Sequence, residues 1–260
     1  MQAHIVPIVI VALWLASPTA AFSQPVERAQ DLKPFTTLEL KGCFDTKLVP
    51  GSVNRITVSA TAEQHEKIRI EQDGETVTVA PTEWGDFWGS WCRGATIKVL
   101  VSASFANDAP VDLRLQGSGD LDAEVPAAAM LNAAVSGSGD LALRGSAGAC
   151  EITIAGSGDV TARALECATT TEVAVHGSGD ATLQGKTKSC KFAIHGSGDV
   201  TANDYACDSA DVEINGSGSV DLAQIAELAV EIHGSGDVSY RGEPKLRRMD
   251  VHGSGGVRQL

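Results

Sequence analysis

The sequence predicts an all-β fold, a solenoid of stacked coils, and three observations carry that prediction. The tetrapeptide Gly-Ser-Gly-Asp opens at Gly117, Gly137, Gly156, Gly177, Gly196 and Gly234, and variants keep Gly-Ser-Gly at Gly216 (ending in Ser219) and Gly253 (ending in Gly256). Steps of 20, 19, 21, 19, 20, 18 and 19 residues separate these copies, a regularity that marks one supersecondary unit stacked on itself. Around each copy the apolar residues fall at even offsets from the first glycine, the period of a strand with one buried face. One copy gives Ile152, Ile154, Val160 and Ala162; another gives Phe192, Ile194, Val200 and Ala202. No segment sustains a helical period, so a helical architecture is excluded.

The two glycines share the inward parity, and a glycine pair inside a strand pattern marks a bend, a bulge or a close backbone approach. Each repeat therefore reads as strand, glycine bend, strand and polar return, long enough for one coil. Ser and Asp of the motif take the outward parity. So does the residue before it, which is His176, His195, His233 and His252 in four copies. Stacking should display columns of Ser, Asp and His on one surface.

Residues 1–23 read as a signal peptide. They carry no Lys, Arg, Asp or Glu, include an apolar run from Ile5 to Ala16, and end in small residues at Ala21-Phe22-Ser23. The run is short for a membrane span, so export to the periplasm or the exterior is expected, with no membrane insertion after cleavage. A single solenoid domain is expected over 34–256, with an N-terminal β layer at 34–116 and the repeats at 117–256. In the layer, Leu38–Leu40, Ile56–Val58, Val77–Val79 and Ile97–Val99 read as strands, with turns at Pro50-Gly51, Asp73-Gly74 and Asn107–Pro110. Gly42-Cys43-Phe44-Asp45 reads as a degenerate first copy. The net charge of −13 disfavours nucleic acid and anionic membranes as partners.

Six cysteines in an exported chain predict disulfides. Cys150 and Cys167 are 17 apart, as are Cys190 and Cys207, and this repeated relation predicts those two bonds, each tying adjacent coils. Cys43 and Cys92 are left for each other. The rival bond Cys167–Cys190 would strand Cys150 and Cys207 three coils apart, roughly 14 Å. No C-x-x-C occurs to suggest zinc.

The Gly-Ser-Gly-Asp-Val/Leu copies, the segment Ile97-Lys98-Val99-Leu100-Val101 before the first copy and Tyr240-Arg241-Gly242-Glu243-Pro244 before the last together resemble the bacterial head-GIN-domain family, labelled "putative auto-transporter adhesin head". The resemblance covers about residues 34–256. It implies a right-handed β-helix-like fold in an exported protein and brings no catalytic residues. The six cysteines and the variants at Ser219 and Gly256 depart from the family pattern.

Three groups of side chains are candidate sites. The acids Asp120, Asp140, Asp159, Asp180, Asp199 and Asp237 would stack about 5 Å apart and repel by roughly 1 kcal/mol or less per pair in water. Turn chemistry offsets that if each Asp accepts N–H bonds from its own Gly-Ser-Gly turn; Ca²⁺ binding is the alternative. His176 with His195, and His233 with His252, would sit on neighbouring coils, near enough to share a transition metal, though solvated polar residues are the simpler reading. A Ser-His-Asp triad is rejected, because a triad is one buried, irregular constellation and this pattern recurs on an exposed face.

Trp84, Phe87, Trp88 and Trp91 form the one aromatic cluster. They fit either rings folded over one end of the solenoid or a platform for a sugar ring or a cell-surface protein. The sequence thus points to a non-enzymatic binding or surface-interaction module of adhesin type, without a cofactor. The alternatives are a polysaccharide-lyase-like β-helix, which could recruit Lys245, Arg247 and Arg248, and a calcium-stiffened spacer.

Overall fold

A computed structural model describes residues 25–83 and 97–260. The chain begins with β1 (Val26–Asp31), β2 (Thr37–Gly42), β3 (Phe44–Pro50), β4 (Arg55–Ala60), α1 (Ala62–Glu66), β5 (Ile68–Asp73), β6 (Thr76–Pro81) and β7 (Ile97–Ala103). The repeats follow as strand pairs, one pair per copy of the motif. These are β8 (Pro110–Gly117) with β9 (Leu121–Val125), β10 (Met130–Gly137) with β11 (Leu141–Ala147), β12 (Ala149–Gly156) with β13 (Val160–Cys167), and β14 (Thr170–Gly177) with β15 (Ala181–Lys186). Then come β16 (Ser189–Gly196) with β17 (Val200–Ala206), β18 (Ser209–Gly216) with β19 (Val220–Gln224), β20 (Glu227–Gly234) with β21 (Asp237–Arg241), and β22 (Lys245–Gly253) with β23 (Gly256–Gln259). β-structure thus starts before residue 34 and runs past residue 256.

The first strand of each pair joins one sheet and the second joins the other, so every coil contributes one rung to each. From β8 and β9 onward all neighbours are parallel, and Gly117, Gly137, Gly156, Gly177, Gly196, Gly216, Gly234 and Gly253 fall in one register column. The β-solenoid predicted from the period is the observed fold. The alternation of apolar residues supplies its core: Ile152, Ile154, Val173, Val175, Ile194 and Ile214 have no exposed surface, and one continuous cluster runs from Phe35 to Val238.

The N-terminal half obeys the same geometry out of sequence order. Gly42 lies in register with Gly117 and Thr46 with Leu121, so Gly42-Cys43-Phe44-Asp45 is a copy of the corner. β6 and β7 form a further coil outside β2 and β3, in parallel with them. Beyond that layer the pairing becomes antiparallel: β5 adds to β6, β4 to β7 and β1 to β4. The four expected strands and the turns are present. The helix α1 was not expected, because five residues cannot show a period. Its signal is the capping box, in which Thr61 and Gln64 exchange hydrogen bonds between side chain and backbone.

A second column lies in the other sheet. Val125, Gly145, Leu165, Gly185 and Tyr205 are stacked in register, alternating large and minimal residues beside a β-bulge. The space admits the Tyr205 ring, which is fully buried; its hydroxyl shares a 2.6 Å hydrogen bond with buried Thr171 Oγ1. Burial pushes the Tyr205 phenol up to about 12. Because the folded pKa lies above the ordinary value of 10.0, this group's contribution to stability is constant below pH 10 and is lost as pH rises toward 12. Phenolate absorbance of the folded protein should accordingly show one tyrosine titrating about two units late, absent in Tyr205→Phe. That variant should also lose roughly 1–3 kcal/mol, having orphaned the Thr171 hydroxyl.

Both disulfides in the repeats have the predicted partners, Cys150–Cys167 and Cys190–Cys207, with Cα separations of 5.9 and 6.0 Å. Their placement corrects the expectation that each ties adjacent coils. Cys150 opens β12 and Cys167 ends β13, two successive strands of one coil. Each bond therefore closes a single coil at the edge opposite the glycine corner. Cys43 is also disulfide-bonded; its expected partner, Cys92, lies outside the described residues, as do the proposed signal peptide and the Trp84–Trp91 cluster.

Candidate functional site

The Gly-Ser-Gly-Asp corner is the most repeated polar feature, and its geometry shows what it does. In one layer the Gly156 carbonyl accepts the N–H groups of both Ser178 and Gly179, at 2.9 and 3.2 Å, and Val160 N–H donates to the Asp180 carbonyl at 2.8 Å. That leaves the Asp180 N–H, which donates to Asp159 Oδ1 at 2.8 Å. The same bond recurs from Asp140 to Asp120, Asp159 to Asp140, Asp199 to Asp180, Ser219 to Asp199 and Gly256 to Asp237, all at 2.7–3.0 Å. The acid accepts from the coil after it, not from its own turn. This corrects the expectation of local turn chemistry. The carboxylate supplies the acceptor for an N–H of the next coil, so the hydrogen-bond ladder continues around the corner.

At the variant corner Gly256 N–H still donates to Asp237, and the corner itself offers no carboxylate. Nothing in the structure explains Ser219.

Both glycines are required, for different reasons. A Cβ on Gly177 would lie 2.2 Å from the Gly156 oxygen and one on Gly179 would lie 2.1 Å from the Gly158 oxygen. Only the first glycine also has a positive φ, +147° at Gly177. The outward Ser and Asp are exposed, as expected.

The histidine pairs are also stacked as expected: His176 and His195 have ring centroids 5.0 Å apart, His233 and His252 5.1 Å. His233 reaches Glu231 at 3.0 Å. That hydrogen bond, with the charge of Arg248, holds the Glu231 carboxyl below its ordinary range. Among the described residues no group of three or more His, Cys, Asp or Glu side chains is placed to hold a metal ion. The cations of the lyase reading are tied to acids on the two preceding coils. Arg247 bonds Asp211 at 2.6 Å, Arg248 meets Glu231 at 2.9 Å and Lys245 lies 3.8 Å from Glu227. A row so neutralised braces the face of the sheet.

Two measurements test the corner. Asp159→Ala should cost about 1 kcal/mol by leaving the exposed Asp180 N–H to water, whereas Asp159→Asn, which keeps an acceptor oxygen, should stay within roughly 0.5 kcal/mol of the parent in denaturant melts. Millimolar Ca²⁺ or EDTA should leave the thermal midpoint unchanged. A calcium-dependent rise would assign the column to ion binding, since a ligand at 100 times its dissociation constant adds about 2.7 kcal/mol.

The family model described as "Putative auto-transporter adhesin, head GIN domain" matches residues 34–183 and 167–244. A crystal structure of a "putative adhesin" from Parabacteroides distasonis ATCC 8503 superposes with a TM-score of 0.74 at 18% identity, covering 92% of this chain and 98% of that one. A "putative lipid binding protein" from the same strain gives 0.74 at 20% identity over 92% and 98%. A "putative adhesin" from Parabacteroides merdae ATCC 43184 gives 0.71 at 17% identity over 92% and 97%. These likenesses establish the shared fold. No curated protein matches the sequence.

Proposed function

The chain belongs to the head GIN domain family, and on that premise we propose that it is an exported, non-enzymatic binding module of adhesin type. The observation that carries this reading is the fate of the repeated polar groups. The Asp column is engaged in joining coils, and Lys245, Arg247 and Arg248 are paired with acids. What is left is a rigid, long scaffold with two broad faces, suited to presenting a surface. The two disulfides are compatible with an oxidising, extracytoplasmic setting.

The surface assigned to a glycan or a cell-surface protein is the cluster Trp84, Phe87, Trp88 and Trp91. In the sequence it lies between β6 and β7, outside the described residues. Aromatic rings among glycines offer flat apolar area at low entropic cost. The test is binding of the oxidised protein to immobilised glycans and surface proteins, with polysaccharide turnover measured in parallel. Loss of binding in the triple variant Trp84→Ala/Trp88→Ala/Trp91→Ala supports the assignment. Turnover abolished by Arg247→Ala or Arg248→Ala would replace it with the lyase reading.

A further inference from the structure

The two ends of the solenoid are built differently. At the N-terminal end the outermost strand of the β23 sheet, β1, is exposed at all six positions but carries Glu27, Arg28 and Asp31, and it lies antiparallel on β4; the β22 sheet ends there in β5, which carries Arg69, Glu71 and Asp73. Charge on an edge strand is the usual protection against further pairing. At the other end β22 and β23 are the last strands of their sheets, with free outer edges. β22 continues the inward row of the coil before it: Met249 is in register with Val230 and Val251 with Ile232, both fully buried. Here the same row is open, with Leu246, Met249 and Val251 exposed by 48%, 42% and 38%. Terminal repeats of a soluble solenoid ordinarily carry a polar outer face. This one carries an apolar row between two unpaired strand edges.

We propose that this end face docks a second copy of the chain through a twofold axis, β22 pairing antiparallel with its counterpart and β23 with its own. Three observations select that occupant. Head-to-tail stacking is blocked, because the N-terminal end presents charged strands in both sheets, β1 in one and β5, with Arg69, Glu71 and Asp73, in the other, each paired antiparallel to its neighbour. The last corner has Gly256 in place of the acid that elsewhere receives the following coil's N–H, so it is not prepared for another parallel coil. A coil does follow the Ser219 corner without the acid, and the charged N-terminal end blocks that route independently. Finally, the charges on β22 are self-complementary. Paired antiparallel about Met249, the strand sets Arg248 opposite Asp250 of the second copy, and the twofold makes that contact twice. Opposite charges directly across a strand pair stabilise it and like charges oppose it. An isologous interface of this kind closes at a dimer.

The test is sedimentation velocity on the oxidised chain over a concentration series, with circular dichroism and the thermal midpoint as checks on folding. A reversible monomer–dimer equilibrium is expected. Met249→Lys should leave a folded monomer, and Val251→Glu serves as the second variant should the first fail to fold. Arg248→Asp and Asp250→Arg should each weaken the dimer on the order of tenfold or more by creating two like-charge contacts. The double variant Arg248→Asp/Asp250→Arg should recover the parent affinity. A chain that stays monomeric throughout, a dimer indifferent to Met249→Lys, open-ended polymers, or a double variant no better than the single ones would each overturn the proposal.

Discussion

Gly177→Ala is expected to lower the stability of the folded protein by about 4 kcal/mol, a fall in thermal midpoint of roughly 8–16 °C for a domain of this size. Two costs combine. The positive φ of +147° lies where only glycine is at ease, worth about 1–3 kcal/mol. The new methyl would also sit 2.2 Å from the Gly156 oxygen, and that atom is backbone already holding the Ser178 and Gly179 N–H groups, so it cannot yield. Overpacking of this kind adds about 1–3 kcal/mol. Gly158→Ala separates the terms, since it meets the Gly139 oxygen at 2.1 Å without a positive φ. Gly74→Ala, at φ +57° with nothing within 4 Å, should cost only about 1 kcal/mol. Should all three variants melt alike, the close approach of coil to coil would not be what demands glycine.

Loss of the disulfides is the second large effect. Each bond closes a ring with a sequence separation of 17, for which chain entropy gives about 3 kcal/mol. Cys190→Ala/Cys207→Ala should therefore melt roughly 6–12 °C below the parent. Removing Cys150–Cys167 as well should nearly double the loss, because the bonds lie two coils apart and couple weakly. Reductant should reproduce the combined effect on the parent and do nothing further to the repeat-region cysteines once both bonds are deleted. A parent whose midpoint ignores reductant would show that the stacked coils alone fix the ring geometry.

Much of this architecture was legible because it is periodic. The spacing of the glycines gives the coil, and the parity of Ile152, Ile154 and Val160 gives the buried face. The repeated separation of the cysteines gives their partners. What local pattern does not encode is which coil an atom serves. The N–H that donates to Asp159 belongs to Asp180, 21 residues on, and a motif read in isolation points to its own turn instead. The same limit explains why the cysteine partners were predictable while the role of the bond, closing one coil, was not. Lys245, Arg247 and Arg248 looked available for chemistry in the sequence, yet Asp211, Glu227 and Glu231 lie opposite them only once coils are stacked. Tyr205 gave no signal at all. Its place depends on Gly185 beside it in register and on Thr171 across the core.

The sequence by itself determined the unit, its period, the inward row and the covalent partners, because these follow from side-chain parity and spacing along one strand. Only the tertiary structure decided that β6 and β7 lie outside β2 and β3, that the Asp column is a hydrogen-bond ladder, and that Met249 and Val251 are left open at the end. Each of these depends on which backbone edge meets which, and edges carry the same N–H and C=O groups whatever the side chains above them.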